Sequence, residues 1–164
     1  LLEELKSFCE LQIEKQRQGK LKKSIRKDGE KANFSKDVIR AKNVDLRYID
    51  VLPLYLTLSL TEFLKKEFNE VSVRQTGRFL YPKGGYMDWH TNSDMQGYRY
   101  YISYCLGGGE SSFSYINKDK KEIKSLDLKG FTARRFFTSR KDSLWHRVDS
   151  DTNRVSIGFY APTQ

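Results

Sequence analysis

The 164-residue chain is short of cysteine, proline, histidine and methionine, with two, three, two and two of each. Each shortage narrows the possibilities. Cys9 and Cys105 fall in a helix-like and a strand-like segment, with no metal-type or disulfide-type spacing between them, so a cystine framework is excluded and a reducing, intracellular (cytoplasmic) setting is expected. A long apolar run is also missing. The longest, Val51 to Leu60, is interrupted by Pro53, Tyr55, Thr57 and Ser59 and falls far below the roughly 20 residues a membrane-spanning helix needs, so a soluble protein with no membrane partner is expected. No signal-peptide pattern opens at Leu1, and the lack of an initiator Met points to residues trimmed before it, along with any targeting information. No repeat of solenoid period is present.

What is there suffices for one domain: 38% of the residues are apolar, enough for a proper core in a chain too short for two. The formal charge of +9 is concentrated early, from Lys15 through Lys20, Lys22, Lys23, Arg26, Lys27, Lys31, Lys36, Arg40 and Lys42 to Arg47. Such a run could attract nucleic acid or another polyanion, but no folded nucleic-acid-binding motif accompanies it. A solvated face is favoured, and nucleic acid stays a possible, unfavoured partner.

Apolar residues at Leu1, Leu5, Phe8, Cys9 and Leu11 or Gln12 predict a helix from Leu1 to about Gln18, and the polar, basic stretch from Gly19 to Asp45 reads as a loop. Between Leu52 and Phe68 an alternating pattern competes with the i, i+4 stripe Leu56, Leu60, Leu64 and Phe68. The stripe continues through Glu62 to Glu67 and predicts a helix with Pro53 near its first turn. After Asn69 the chain turns to short runs rich in Val, Ile, Tyr, Phe and Thr. Strands are expected near Val71–Tyr81, Tyr86–His90, Tyr98–Cys105, Ser111–Ile116, Glu122–Leu128, Thr132–Thr138, Leu144–Val148 and Arg154–Tyr160, with a hairpin turn at Asn117 to Lys120. The expected fold is mainly β with N-terminal helices, a jelly roll of about eight antiparallel strands. Residues 1–69 would supply helical support and the basic loop, and residues 70–162 the β core of a single domain.

Both histidines, His90 and His146, lie in the β-rich half directly after a tryptophan. A lone strand histidine is more often structural than a ligand, but the surroundings of these two supply more. Thr91-Asn92-Ser93-Asp94 beside His90 offers an oxygen ligand. Eight residues after His146 comes Arg154, in Arg154-Val155-Ser156. Strand alternation puts Arg154 and Ser156 on one side, where a guanidinium fork and a hydroxyl can grip one carboxylate. Tyr100, Tyr104, Phe113, Tyr115, Phe131, Phe136 and Phe137 could line a cleft, although most aromatics at strand spacing fill a core.

Tyr81-Pro82-Lys83-Gly84-Gly85-Tyr86-Met87-Asp88-Trp89-His90, then His146, then Arg154-Val155-Ser156 together resemble the Fe(II)- and 2-oxoglutarate-dependent oxygenases, in their prolyl-hydroxylase-like branch. The resemblance covers roughly Val71 to Pro162, in the family's order. It implies a double-stranded β-helix with His90 and His146 as metal ligands on the second and seventh strands and Arg154 on the eighth. Arg154 and Ser156 would hold 2-oxoglutarate, with Tyr81 and one of the tyrosines between Tyr98 and Tyr104, Tyr101 being preferred, facing the same pocket. Fe(II), 2-oxoglutarate and O₂ are the implied cofactors. The implied reaction hydroxylates a protein residue of prolyl type or a small molecule and releases succinate and CO₂.

One position departs from the pattern: the family's acid stands two residues after the first histidine, where this chain has Asn92. On a straight strand Asp94 would be about 13 Å from His90, at roughly 3.3 Å per residue. The turn-prone Asn92-Ser93-Asp94 allows a bend that carries Asp94 back. Three arrangements follow: Asp94 as ligand, Asn92 through its amide oxygen, or a water or anion in the position. Asp94 is favoured, because an anion better offsets Fe(II) charge. Asn92 also keeps open a non-catalytic jelly-roll module or degenerate oxygenase binding a polyanion; a cupin-like metalloenzyme without a 2-oxo acid is a third alternative, and the basic N-terminal segment leaves room for a nucleobase-oxidising oxygenase, which would have to flip a duplex base into the pocket. A peptide, protein or small molecule is the expected partner, and the oligomeric state is left open.

Overall fold

The computed structural model describes residues 1–24 and 43–163, so most of the expected basic loop lies outside the described residues. Helix α1 spans Leu2–Arg17 and α2 spans Leu54–Phe68. Pro53 caps α2, where its missing N–H costs nothing, and Asn69 ends it in a left-handed conformation (φ 53°) that asparagine tolerates. Among the described residues ten strands accompany the helices: β1 (Asn43–Val44), β2 (Arg47–Tyr48), β3 (Arg74–Tyr81), β4 (Tyr86–His90), β5 (Gly97–Cys105), β6 (Ser111–Ile116), β7 (Glu122–Leu126), β8 (Gly130–Thr138), β9 (His146–Ser150) and β10 (Arg154–Pro162). All eight strands expected from the sequence form; the two-residue β1 and β2 are additional.

The strands pair antiparallel into two five-stranded sheets, in the orders β1-β4-β9-β6-β7 and β2-β3-β10-β5-β8. Consecutive strands thus repeatedly change sheet, as they do in a jelly roll. Strand β10 shows how the layers are built. Its residues Val155, Ile157, Phe159 and Ala161 turn outward and join Leu5, Cys9 and Ile13 of α1 and Leu56, Leu60 and Leu64 of α2 in one apolar cluster. Arg154, Ser156 and Gly158 occupy the alternate positions, facing the other sheet. Because the helices cover one face and the second sheet covers the other, nearly every residue of β10 is buried, and the period-2 polarity of a half-exposed strand disappears. A second, smaller cluster of Leu46, Tyr81, Met87, Phe113 and Val148 fills the space between the sheets. Among the described residues no helix is long and apolar enough to cross a membrane.

Candidate metal and anion site

His90 ends β4 and His146 begins β9, and the register of the two strands places them directly opposite each other. Their ring centroids are 4.1 Å apart. In each case Nδ1 lies against the carbonyl two residues earlier, at 2.7 Å from Asp88 O and 2.8 Å from Leu144 O. A carbonyl oxygen accepts only, so Nδ1 of both rings carries a proton, and in the neutral ring the lone pair then lies on Nε2, the tautomer a metal ligand needs. Burial first, then the repulsion a protonated His90 would exert, and last the Arg99 charge hold the His146 pKa well below the ordinary imidazole value, against the opposing bond to Leu144. His146 is therefore neutral at pH 7, the form that can bind a cation.

The bend after His90 exists, but it delivers Asn92 and not Asp94. Asn92 has φ 52°, and its Nδ2 stands 3.1 Å from the Tyr101 hydroxyl and 3.4 Å from His146 Nε2. Thr138 donates to Thr91 O at 3.1 Å, and Arg99 Nη2 donates to Asn92 O at 3.0 Å and to Met95 O at 3.4 Å. These bonds hold the turn in a shape that leaves Asp94 exposed. The expectation that Asp94 completes the histidine pair is therefore corrected: it does not line the pocket, and among the described residues no group of three His, Cys, Asp or Glu side chains assembles. The physical reason is that a left-handed residue at Asn92 already reverses the chain, so the inward position goes to Asn92 itself.

The histidines and Asn92 line a pocket of about 160 Å³, together with Tyr81, Tyr101 and Ser156. Gly158 is part of its wall, opposite Tyr101 in the register, and a Cβ there would lie 2.9 Å from Thr76 Oγ1. The pocket is smaller than the roughly 300–1,000 Å³ of clefts for drug-sized ligands. Its size suits a small molecule or a single side chain.

Arg154 is not part of the pocket lining. It lies one inward step beyond Ser156, 1% exposed, with its guanidinium carbon 5.3 Å from the centre of the Tyr81 ring. Its Nε donates to Asp127 Oδ2 at 2.6 Å, while Nη1 is buried without a hydrogen-bond partner. Asp127 follows β7 and is equally buried; it also accepts from Arg134 Nη1 (2.5 Å), Ser111 (2.5 Å) and Ser103 (3.0 Å). Burial alone would push the Asp127 carboxyl up, but the Arg154 charge and the bonds from Ser111, Arg134 and Arg154 outweigh it and hold the group well below the usual carboxylate range.

Sequence reasoning did not single out Asp127, Arg134 or Arg99. Asp127 carried no local signal, since its partners lie 7 to 27 residues away on other strands. Arg134 did carry one: strand alternation puts it on the same face as Phe136, an inward position where an arginine is out of place unless paired.

No protein-family model and no curated protein matches the sequence. Among solved structures, the chain is similar to a prolyl-4-hydroxylase of Pseudomonas putida, with a TM-score of 0.58 and 14% identity over 98% of this chain and 84% of that one. It is also similar to a prolyl hydroxylase of Trichoplax adhaerens in complex with a hypoxia inducible factor oxygen degradation domain peptide fragment, with a TM-score of 0.55 and 15% identity over 96% of this chain and 77% of that one. At these identities the likeness establishes the architecture: the chain is a jelly roll, a double-stranded β-helix of the kind found in prolyl hydroxylases.

Proposed function

We propose that the chain is a 2-oxoglutarate-dependent oxygenase domain that binds Fe(II) through His90, His146 and Asn92 and hydroxylates a small molecule or a single residue of a peptide. The observation that carries this reading is the pair of facing imidazoles, both with Nδ1 protons committed to backbone carbonyls, in a pocket bounded by the inward face of the strand that bears Arg154. The donor set fits a divalent metal. Two imidazoles with Nδ1 committed to carbonyls offer Nε2 in their neutral form, and a half-turn of the Asn92 amide about its terminal torsion brings Oδ1 to the side that Nδ2 now occupies. The unpartnered Nη1 of Arg154 fits a carboxylate, with Ser156 and Tyr81 beside it to add polar contacts. With metal and 2-oxo acid bound, the site would supply O₂ activation coupled to oxidative decarboxylation to succinate and CO₂. The protein's part is to hold and orient. Asp88 O and Leu144 O keep the imidazoles in the ligating tautomer, the Arg99 bonds to Asn92 O and Met95 O fix the turn that carries Asn92, and Gly158 keeps the pocket wall open.

Anaerobic Fe(II) titration with and without 2-oxoglutarate tests the proposal through the weak visible absorption of a metal-chelated 2-oxo acid. The expected result is a band in the wild type, loss of metal binding in His90→Ala and His146→Ala, and weaker 2-oxo acid binding with metal retained in Arg154→Ala. Folded histidine variants that keep their iron affinity would overturn it. A second reading, a jelly roll that binds without turnover, draws on Asn92 standing where an acid is expected and on Asp127 already facing Arg154. Metal-loaded wild type that shows no band would favour it.

A further inference from the structure

Arg154, Arg134 and Asp127 form a group of two guanidiniums and one carboxylate, buried at Arg154 and Asp127 and partly exposed at Arg134, so it carries one net positive charge. Arg154 and Asp127 are each 1% exposed, and Arg134 is 11% exposed. Arg134 reaches water and can be solvated there, but Arg154 is buried in this net positive group with an Nη1 donor that has no acceptor. Both features call for one more anion. Asp127 meanwhile takes the Nε edge of Arg154 and a nitrogen of Arg134, the positions from which a guanidinium fork would otherwise grip an incoming carboxylate at two points.

We propose that Asp127 is a resident carboxylate that fills half of the anion seat of Arg154 and so sets how weakly the domain holds a dicarboxylate, while Arg134 supplies the charge that keeps the seat cationic. The inference rests on the oxygenase reading in taking the incoming group to be the distal carboxylate of 2-oxoglutarate. Charge counting fixes the signs. Removing the Asp127 charge leaves two cations facing the ligand; removing the Arg134 charge leaves a neutral pair.

The test needs no metal. Thermal unfolding of the metal-free protein is followed with increasing glutarate, and with glutaramide as the uncharged control, in wild type, Asp127→Asn and Arg134→Gln. Glutarate is expected to bind Asp127→Asn roughly ten-fold more tightly than wild type and Arg134→Gln roughly ten-fold more weakly, a factor of ten being about 1.4 kcal/mol. Glutaramide is expected to shift none of them. Weaker glutarate binding in Asp127→Asn would overturn the proposal, since Asp127 would then merely orient Arg154. A glutaramide shift matching that of glutarate would overturn it as well. If Asp127→Asn does not fold, Arg134→Gln decides, because it leaves the Arg154–Asp127 pair in place: unchanged glutarate affinity there sinks the idea. Failure of this titration alongside a normal Fe(II)–2-oxoglutarate band leaves the oxygenase reading standing, and the reverse pattern removes the oxygenase while keeping the seat.

Discussion

At the histidine end of the pocket the candidate ligands are two imidazoles and an amide, held by single bonds to backbone carbonyls and to one tyrosine hydroxyl. One inward step beyond the pocket, Arg154 and Asp127 are packed together out of water, with the partly exposed Arg134 against the same carboxylate. The first end consists of groups that can lose one partner without stranding a charge. The second cannot lose its carboxylate, because deleting Asp127 leaves Arg154 buried and uncompensated. The two ends therefore differ in what a mutation costs the fold, although both serve one site in the proposed function.

The sharpest way to break this comparison is Asp127→Ala, expected to destabilise the protein by about 3–5 kcal/mol by leaving Arg154 and Arg134 without their carboxylate. At the opposite end Asn92→Ala is expected to cost only about 1 kcal/mol, the size of an ordinary lost hydrogen bond. Urea unfolding of both variants reads the difference. Equal costs would mean that the ionic group is hydrated or rearranges freely.

Acid sharpens the same contrast. The folded protein holds the Asp127 carboxyl well below its ordinary range, so the stability it contributes is fully present above the unfolded value of about 4 and is lost as pH falls from there towards the folded value. The wild type is expected to lose stability between about pH 5 and pH 2 more steeply than Asp127→Asn, which begins weaker and stays flatter. Parallel curves would show that the group contributes nothing to the acid limb.

These contrasts also mark what the sequence could reveal. The strands from β3 to β10 and both helices were legible because their signals are local: alternation, the Leu56, Leu60, Leu64 stripe, and Pro53 at a helix start. The facing of His90 and His146 was legible only through the family's order of motifs, since no local rule pairs residues 56 positions apart. The turn at Asn92 was half legible. Its composition announced a bend, but whether the bend would return Asp94 or keep Asn92 depended on the left-handed φ of Asn92 and on bonds from Thr138 and Arg99, which come from other strands. Asp127 was not legible at all, because a buried aspartate is recognised by its partners, and both arginines lie further along the chain.

The smallest effect on the fold, and the most informative one on the site, is expected from Asn92→Asp. Aspartate shares asparagine's tolerance of a left-handed conformation, so φ 52° should not strain it. The carboxylate can accept from the Tyr101 hydroxyl where the amide now donates, so stability should change by less than about 1 kcal/mol. If the proposed donor set is right, metal affinity should respond far more, because the variant adds a negative charge to a candidate set that has none. Calorimetric titration with Fe(II) or Mn(II) is expected to show tightening on the order of ten-fold, the scale on which even indirect partners of a metal site act. Unchanged affinity would place Asn92 outside the metal's reach and leave His90 and His146 as its only protein ligands among the described residues. Weaker affinity would mean that the amide of Asn92 orders His146 through its contact with Nε2, and that the charge it lacks is one this site is built to do without.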